Sequence, residues 1–201
     1  MLEVLDHVGL FAFAISGVLT AANRNLDILG GYVIAFITAL GGGTIRDLLL
    51  NVDVAWMTSF SQVIVVIAGA TFGIIFRSKL RSWRRTLSIF DTVGISVFTI
   101  VGVQKGLAHD QLALTAVFLG LITATFGGLL RDVLCNEIPL IFRKEIYAIP
   151  CLLGGSFYLL GDYLGQGNAP WLIWTSIFFI IAFRTLAVLF SWKLPLIREF
   201  K

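Results

Sequence analysis

The sequence predicts an all-α membrane protein of seven transmembrane helices, built as two inverted three-helix repeats followed by a seventh helix. Three observations predict it. Of 201 residues, 58% are hydrophobic and only 13% charged. The apolar residues gather in seven blocks, each near the ~20 residues that a bilayer-spanning helix needs. The first part of the chain also recurs further on at an offset of 85 residues. A mean hydropathy of +0.92 is far more apolar than that of a water-soluble domain.

The spans follow in order. The first is placed at Val4–Ala22; no Lys or Arg precedes it, so it lacks the basic start of a cleaved signal peptide and is expected to be retained. The second, Leu29–Leu50, carries Gly41, Gly42 and Gly43 about two-thirds of the way across, and the third is Phe60–Phe76. A basic loop with Arg77, Lys79, Arg81, Arg84 and Arg85 leads to the fourth span, Leu87–Val103. The fifth, Leu112–Leu134, holds Gly127 and Gly128; the sixth is Ile146–Leu164 and the seventh Ala169–Phe190. The reading is one transmembrane domain over 1–201, with repeat 1 at 1–77, repeat 2 at 86–162 and the last helix at 169–190.

An odd number of spans puts the termini on opposite sides. Arg24, the basic loop, Arg143, Lys144, Lys193, Arg198 and Lys201 then share one side and Lys105 stands alone on the other. Because cytoplasmic loops collect positive charge, the amino terminus is expected outside and the carboxyl terminus in the cytoplasm. Trp56, Trp171 and Trp174 fall at the outer boundary, and Trp83 and Trp192 at the inner one, as interfacial indoles do. The net charge of +3 comes from residues that border apolar blocks instead of forming a basic face, which argues against a nucleic-acid partner. Cys135 and Cys151 lack the spacing of a metal site or a secreted disulfide framework and read as free thiols.

The offset of 85 brings Asp6, Gly9, Phe13 and Gly17 onto Asp91, Gly94, Phe98 and Gly102. It also brings Gly42, Gly43, Arg46, Asp47 and Asn51 onto Gly127, Gly128, Arg131, Asp132 and Asn136. Shared apolar composition does not produce a shared Gly-Gly-x-x-Arg-Asp and a shared Asp-x-x-Gly in one register. Three spans per copy require the second copy to lie upside down, the arrangement that places transport sites near the bilayer midplane.

Adjacent glycines weaken a helix and free carbonyls that lipid cannot satisfy. One reading makes the second and fifth spans kinked pore walls, with bared carbonyls and Thr38, Thr44, Thr123 and Thr125 replacing part of a cation's hydration shell. The other makes the glycines sites of close helix packing. Arg46, Asp47, Arg131 and Asp132 are costly inside a span and are expected to face an interior or an aqueous cavity. Sequence neighbours diverge around a helix, so the expected pairs are Arg46 with Asp6 and Arg131 with Asp91, forming charged rims or gates; snorkelling of each arginine to its interface is the alternative. Asp6 and Asp91 are expected to cap helix starts, the glycine stripes to pack helices, and Arg184 to snorkel. Glu3, Asp6, Asp47, Asp53, Asp110 and Asp162 outnumber Arg46 and Lys105 on the outer side, which favours cations there.

Taken together, the three-plus-three-plus-one pattern and the two Gly-Gly-x-x-Arg-Asp motifs, at Gly42–Asp47 and Gly127–Asp132, resemble the prokaryotic branch of the trimeric intracellular cation (TRIC) channels. The resemblance covers nearly the whole chain. It implies a homotrimer with a pore in every subunit, bounded by the kinked second and fifth helices and conducting potassium and sodium in a prokaryotic cell membrane, with membrane lipids around it. The lysine motif by which animal members bind phosphoinositide is not found. The competing function is a secondary transporter for a small solute such as an amino acid, since inverted repeats and broken helices also mark alternating access. No cofactor and no metal beyond transient permeant cations are expected. His7 and His109 show no metal-binding spacing and no nucleophile and base assemble, so no enzyme is expected.

Overall fold

The structure, a computed structural model, describes residues 2–77, 83–143, 146–167 and 169–195. Its helices are α1 (Leu2–Asn23), α2 (Ile28–Leu49), α3 (Ala55–Thr58), α4 (Phe60–Phe76), α5 (Trp83–Ala108), α6 (Ala113–Leu134), α7 (Ala148–Gly161) and α8 (Pro170–Leu189). A 3-10 turn at Leu140–Phe142 follows α6, and a π-helical turn at Asp162–Gln166 continues α7. Backbone polar groups in lipid must be satisfied within their own segment, so apolar blocks of this length become helices.

A helix occupies each of the apolar blocks. Five of them, α1, α2, α5, α6 and α8, are long and apolar enough to cross a membrane by length and composition. The other two are shorter, with 17 residues in α4 and 14 in α7. Lys79, Arg81, Lys144, Arg198 and Lys201 lie outside the described residues, as do the side chains of Trp83, Arg84 and Arg85.

The 85-residue correspondence extends to the ends of the elements. Helices α2 and α6 have the same 22-residue length and begin 85 residues apart, at Ile28 and Ala113. Each stops the same way: Asn51 and Asn136, just past the helix ends, adopt φ of 54° and 53°. Asparagine tolerates this left-handed conformation, which terminates the helix. The amides that follow, Val52 and Glu137, turn back to the carbonyls of Asp47 and Asp132 at 3.0 and 2.8 Å.

Helices α1 and α5 form the centre. α1 packs on α2, α4 and α5; α5 packs on α6, α7 and α8; α2 and α6 pack on each other. Phe13 and Phe98 meet with ring centroids 5.2 Å apart, each ring occupying the space a side chain would need on the other helix's glycine, Gly94 or Gly9. Gly17 and Gly102 let α1 approach α2 at Ala35 and α5 approach α6 at Gly120. Close approach through small residues is how apolar helices associate where no water drives them together.

Two expectations are corrected here. Asp6 and Asp91 cap nothing: Asp6 lies inside α1, and Asp91 lies inside α5, which begins at Trp83. The helical pattern simply continues outward past each carboxylate. Helices α2 and α6 also run as single α-helices through their glycines, and none of these glycines has a positive φ. Their missing side chains are used for contact. A Cβ on Gly42 would strike the Thr123 carbonyl oxygen, and one on Gly127 the Thr38 carbonyl oxygen.

Candidate functional site

The crossing of α2 and α6 is flanked by two charged clusters made from equivalent positions. In the first, Arg46 Nε donates to Asp47 Oδ1 at 2.8 Å, and Lys105 Nζ donates to the same oxygen at 2.8 Å. The other oxygen, Asp47 Oδ2, accepts from the Ala55 amide at 3.1 Å, so one carboxylate ties the end of α2 to the start of α3. Asp6 Oδ2 accepts from Gln62 Nε2 of α4 at 2.6 Å. Trp56 Nε1 donates to Thr44 Oγ1 at 3.0 Å and its ring packs edge-on against Phe36. Asp6, Gly43, Thr44, Arg46, Asp47 and Gln62 help to line a cavity of about 20 Å³, room for roughly one water molecule.

In the second cluster Arg131 Nε donates to Asp132 Oδ1 at 2.8 Å, and Nη1 donates to Asp91 Oδ1 at 2.9 Å and to Ser16 Oγ. Asp132 Oδ2 accepts from the Leu140 amide at 2.9 Å, the counterpart of the Asp47–Ala55 bond. This cluster is sealed: Arg131 is 0% exposed and Asp91 1%. Helix α8 joins it through Arg184, whose Nη1 donates to the Ile146 carbonyl at 2.7 Å and whose guanidinium lies 4.9 Å from the centre of the Tyr147 ring. Each cluster sets two cations, Arg46 and Lys105 or Arg131 and Arg184, against two aspartates. The acidic excess read from the sequence is therefore partly neutralised at Asp47.

Arg131 and Asp91 pair as expected. Arg46 and Asp6 do not; among the described residues Asp6 takes Gln62 and Arg46 takes Asp47. The expectation that neighbouring Arg and Asp diverge is corrected for both motifs. A one-residue step turns about 100° around a helix, but the long arginine side chain folds back across it at the helix end. Snorkelling is also corrected, since Arg46, Arg131 and Arg184 are 4%, 0% and 2% exposed. A guanidinium with carboxylate, hydroxyl or carbonyl partners inside the bundle does not need to reach the interface.

The four threonines are engaged within their own helices. Thr38, Thr44, Thr123 and Thr125 donate to the carbonyls of Ile34, Leu40, Leu119 and Leu121 at 2.6 to 2.8 Å. Each keeps lone pairs to offer, as Thr44 does to Trp56. The reading of the sequence missed Ser16, Gln62 and Tyr147. Gln62 had a signal, a lone amide within an apolar span, and Tyr147 stands 85 residues after it. Cys135 and Cys151 are free and buried.

Known proteins share this fold. A family model described as "Glycine transporter" matches the chain twice, over residues 3–78 and 88–163. A UPF0126 membrane protein of Vibrio cholerae is 36% identical over 97% of this chain and 82% of its own length. The inner membrane protein YadS of Escherichia coli, also UPF0126, is 40% identical over 79% of this chain and 78% of its own length. The solved TRIC trimeric intracellular cation channel orthologue from Rhodobacter sphaeroides superposes with a TM-score of 0.89 at 33% identity, covering 94% of this chain and 98% of that one. The chain belongs to the prokaryotic TRIC family. The two matches to the family model start 85 residues apart, as do α2 and α6, and each match contains one Gly-Gly-x-x-Arg-Asp motif.

Proposed function

We propose that this TRIC-family protein is a channel for monovalent cations, potassium and sodium, with a pathway inside each subunit between α2 and α6. The reading rests on one observation above others: the reciprocal glycine contacts of α2 and α6, Gly42 on Thr123 and Gly127 on Thr38, lie between two charged clusters. Such reciprocity is what a two-fold relation between inverted repeats would produce, with the seven helices as spans and α8 outside the repeats. The similarity to a solved TRIC cation channel supports the same function. That channel is trimeric, which supports a homotrimer in a lipid membrane for this chain. Orientation follows the distribution of positive charge, with the amino terminus outside and the carboxyl terminus in the cytoplasm.

In the packed arrangement α2 and α6 touch backbone to backbone, leaving no room for an ion between them at Gly42 and Gly127. Conduction then requires the helices to part or bend there, and Gly41, Gly42, Gly43, Gly127 and Gly128 are where bending is cheapest. Thr38, Thr44, Thr123 and Thr125 would offer hydroxyl oxygens to a partly dehydrated cation. Asp6, Arg46, Asp47, Asp91, Arg131 and Asp132 would form the charged rims or gates.

Purified protein in a planar bilayer under asymmetric potassium chloride tests this reading. Unitary currents are expected, reversing near the potassium equilibrium potential. Combined Gly42→Leu and Gly127→Leu substitutions should abolish them while insertion survives; undiminished current in that variant would sink the pore assignment. The description of the family model as a glycine transporter favours a second reading, a carrier for a small amino acid. Saturable glycine uptake and counterflow without unitary currents would select it.

A further inference from the structure

Gly128 serves a different purpose from Gly127. A Cβ on Gly128 would approach three polar side-chain atoms: Tyr147 Oη at 3.2 Å, Arg131 Nη2 at 3.6 Å and Asp91 Oδ1 at 3.6 Å. The space a side chain would fill is thus bounded by hydrogen-bonding groups. Tyr147 Oη and Arg131 Nη2 have no hydrogen-bond partner among the described residues, and their residues are 3% and 0% exposed. Buried polar groups in native proteins are nearly always paired, with protein or with an internal water.

The first cluster indicates what completes the second. Asp6, Gly43, Arg46, Asp47 and Gln62 stand 85 residues before Asp91, Gly128, Arg131, Asp132 and Tyr147. There Gln62 bonds Asp6 directly at 2.6 Å. Tyr147, in the place of Gln62, makes no such bond to Asp91, although both face the same space at Gly128.

We infer that a single water molecule is bound at Gly128, accepting hydrogen bonds from Tyr147 Oη and Arg131 Nη2 and donating one to Asp91 Oδ1. The walls select a neutral molecule. A cation would meet the Arg131 guanidinium and an anion the Asp91 carboxylate, whereas water both accepts and donates. Three partners match the two to four that a buried water makes. Asp91 Oδ1 accepts from Arg131 Nη1 and has a second lone pair to offer. Tyr147 thereby becomes a positioning residue for the arginine–aspartate pair, and Gly128 is glycine because a side chain would displace the water. This inference goes beyond the channel reading and does not depend on it.

X-ray radiolytic footprinting of the full-length protein in detergent tests the site, because radicals generated from a bound water oxidise its neighbours even where bulk solvent has no access. Tyr147 is expected to be hydroxylated several-fold faster than Tyr158. The comparison is fair because Tyr158 is 2% exposed and its hydroxyl already bonds Gln104 and Gly167. Gly128→Ala should bring Tyr147 down to the rate of Tyr158. Equal rates for the two tyrosines in the wild-type protein would overturn the proposal. Should Gly128→Ala fail to fold, Tyr147→Phe provides a second reading. Loss of a bridged hydroxyl lowers the melting temperature by a few degrees, while removal of an unpaired one leaves it unchanged or raises it, which would equally overturn the site. Neither measurement involves ion flux, so a silent bilayer would refute the channel reading alone.

Discussion

Arg131 reaches three partners on two other side-chain positions of α1 and α5 and on its own helix, whereas Arg46 serves one carboxylate that Lys105 and the Ala55 amide also hold. Removing one member of a buried ion pair typically costs about 3–5 kcal/mol, because the partner charge is left unpaired. Arg131→Ala takes the ion-pair partner from Asp91 and leaves Asp132 only the Leu140 amide, and it is expected to fall in that range. Arg46→Ala is expected to cost less, since Asp47 keeps two donors. Unfolding of the two variants in mixed micelles checks the order, and equal losses would contradict it. The cysteines give a second prediction. Both are buried, and burial pushes the Cys135 thiol above its ordinary value, which leaves little thiolate at neutral pH. Maleimide labelling of the folded protein should therefore be slow, rise as the pH is raised, and become complete at both thiols in SDS.

Glycines within the same helix differ in what surrounds them. A Cβ at Gly31 of α2 would meet nothing within 4 Å, while one at Gly42 would collide with the backbone of α6. Gly31→Ala is expected to stabilise the protein by roughly 0.5–1 kcal/mol, the cost of glycine over alanine in a helix. Gly42→Ala and Gly127→Ala should each destabilise by about 1–3 kcal/mol, as overpacking does. Because each substitution pushes the same two helices apart, the double variant should lose less than the sum of the singles. Full additivity would mean that the two contacts are independent, contrary to a single α2–α6 crossing.

For the molecule as a whole, the paired positions imply that the two charged clusters are related but unequal. Ser16, Tyr147 and Arg184 complete the sealed Arg131 cluster, while Gln62 and Trp56 line the small cavity beside Arg46 and Lys105 holds Asp47. Single cysteines placed at Asp53 and at Ser191, in a cysteine-free background, report the orientation proposed above. An impermeant maleimide added to intact cells is expected to label the first and spare the second. The reverse pattern would invert the topology while leaving the packing untouched.

The helical class, the places of the apolar helices, the 85-residue correspondence and the two arginine-bearing motifs were legible in the sequence, because length, hydropathy and repeated spacing act locally along the chain. The pairing of Arg131 with Asp91 was also within reach, since two buried opposite charges on neighbouring spans have strong reason to meet. Tertiary packing decided the rest. Asp6 went to Gln62 instead of Arg46, and α5 delivered Lys105 to the Asp47 carboxylate that Arg46 also holds. Arg184 stayed buried because Tyr147 and the Ile146 carbonyl received it. Local patterns set which segments become helices, but the partner of a long charged side chain depends on which groups other helices deliver within a few ångströms of it, and only the assembled bundle contains that information.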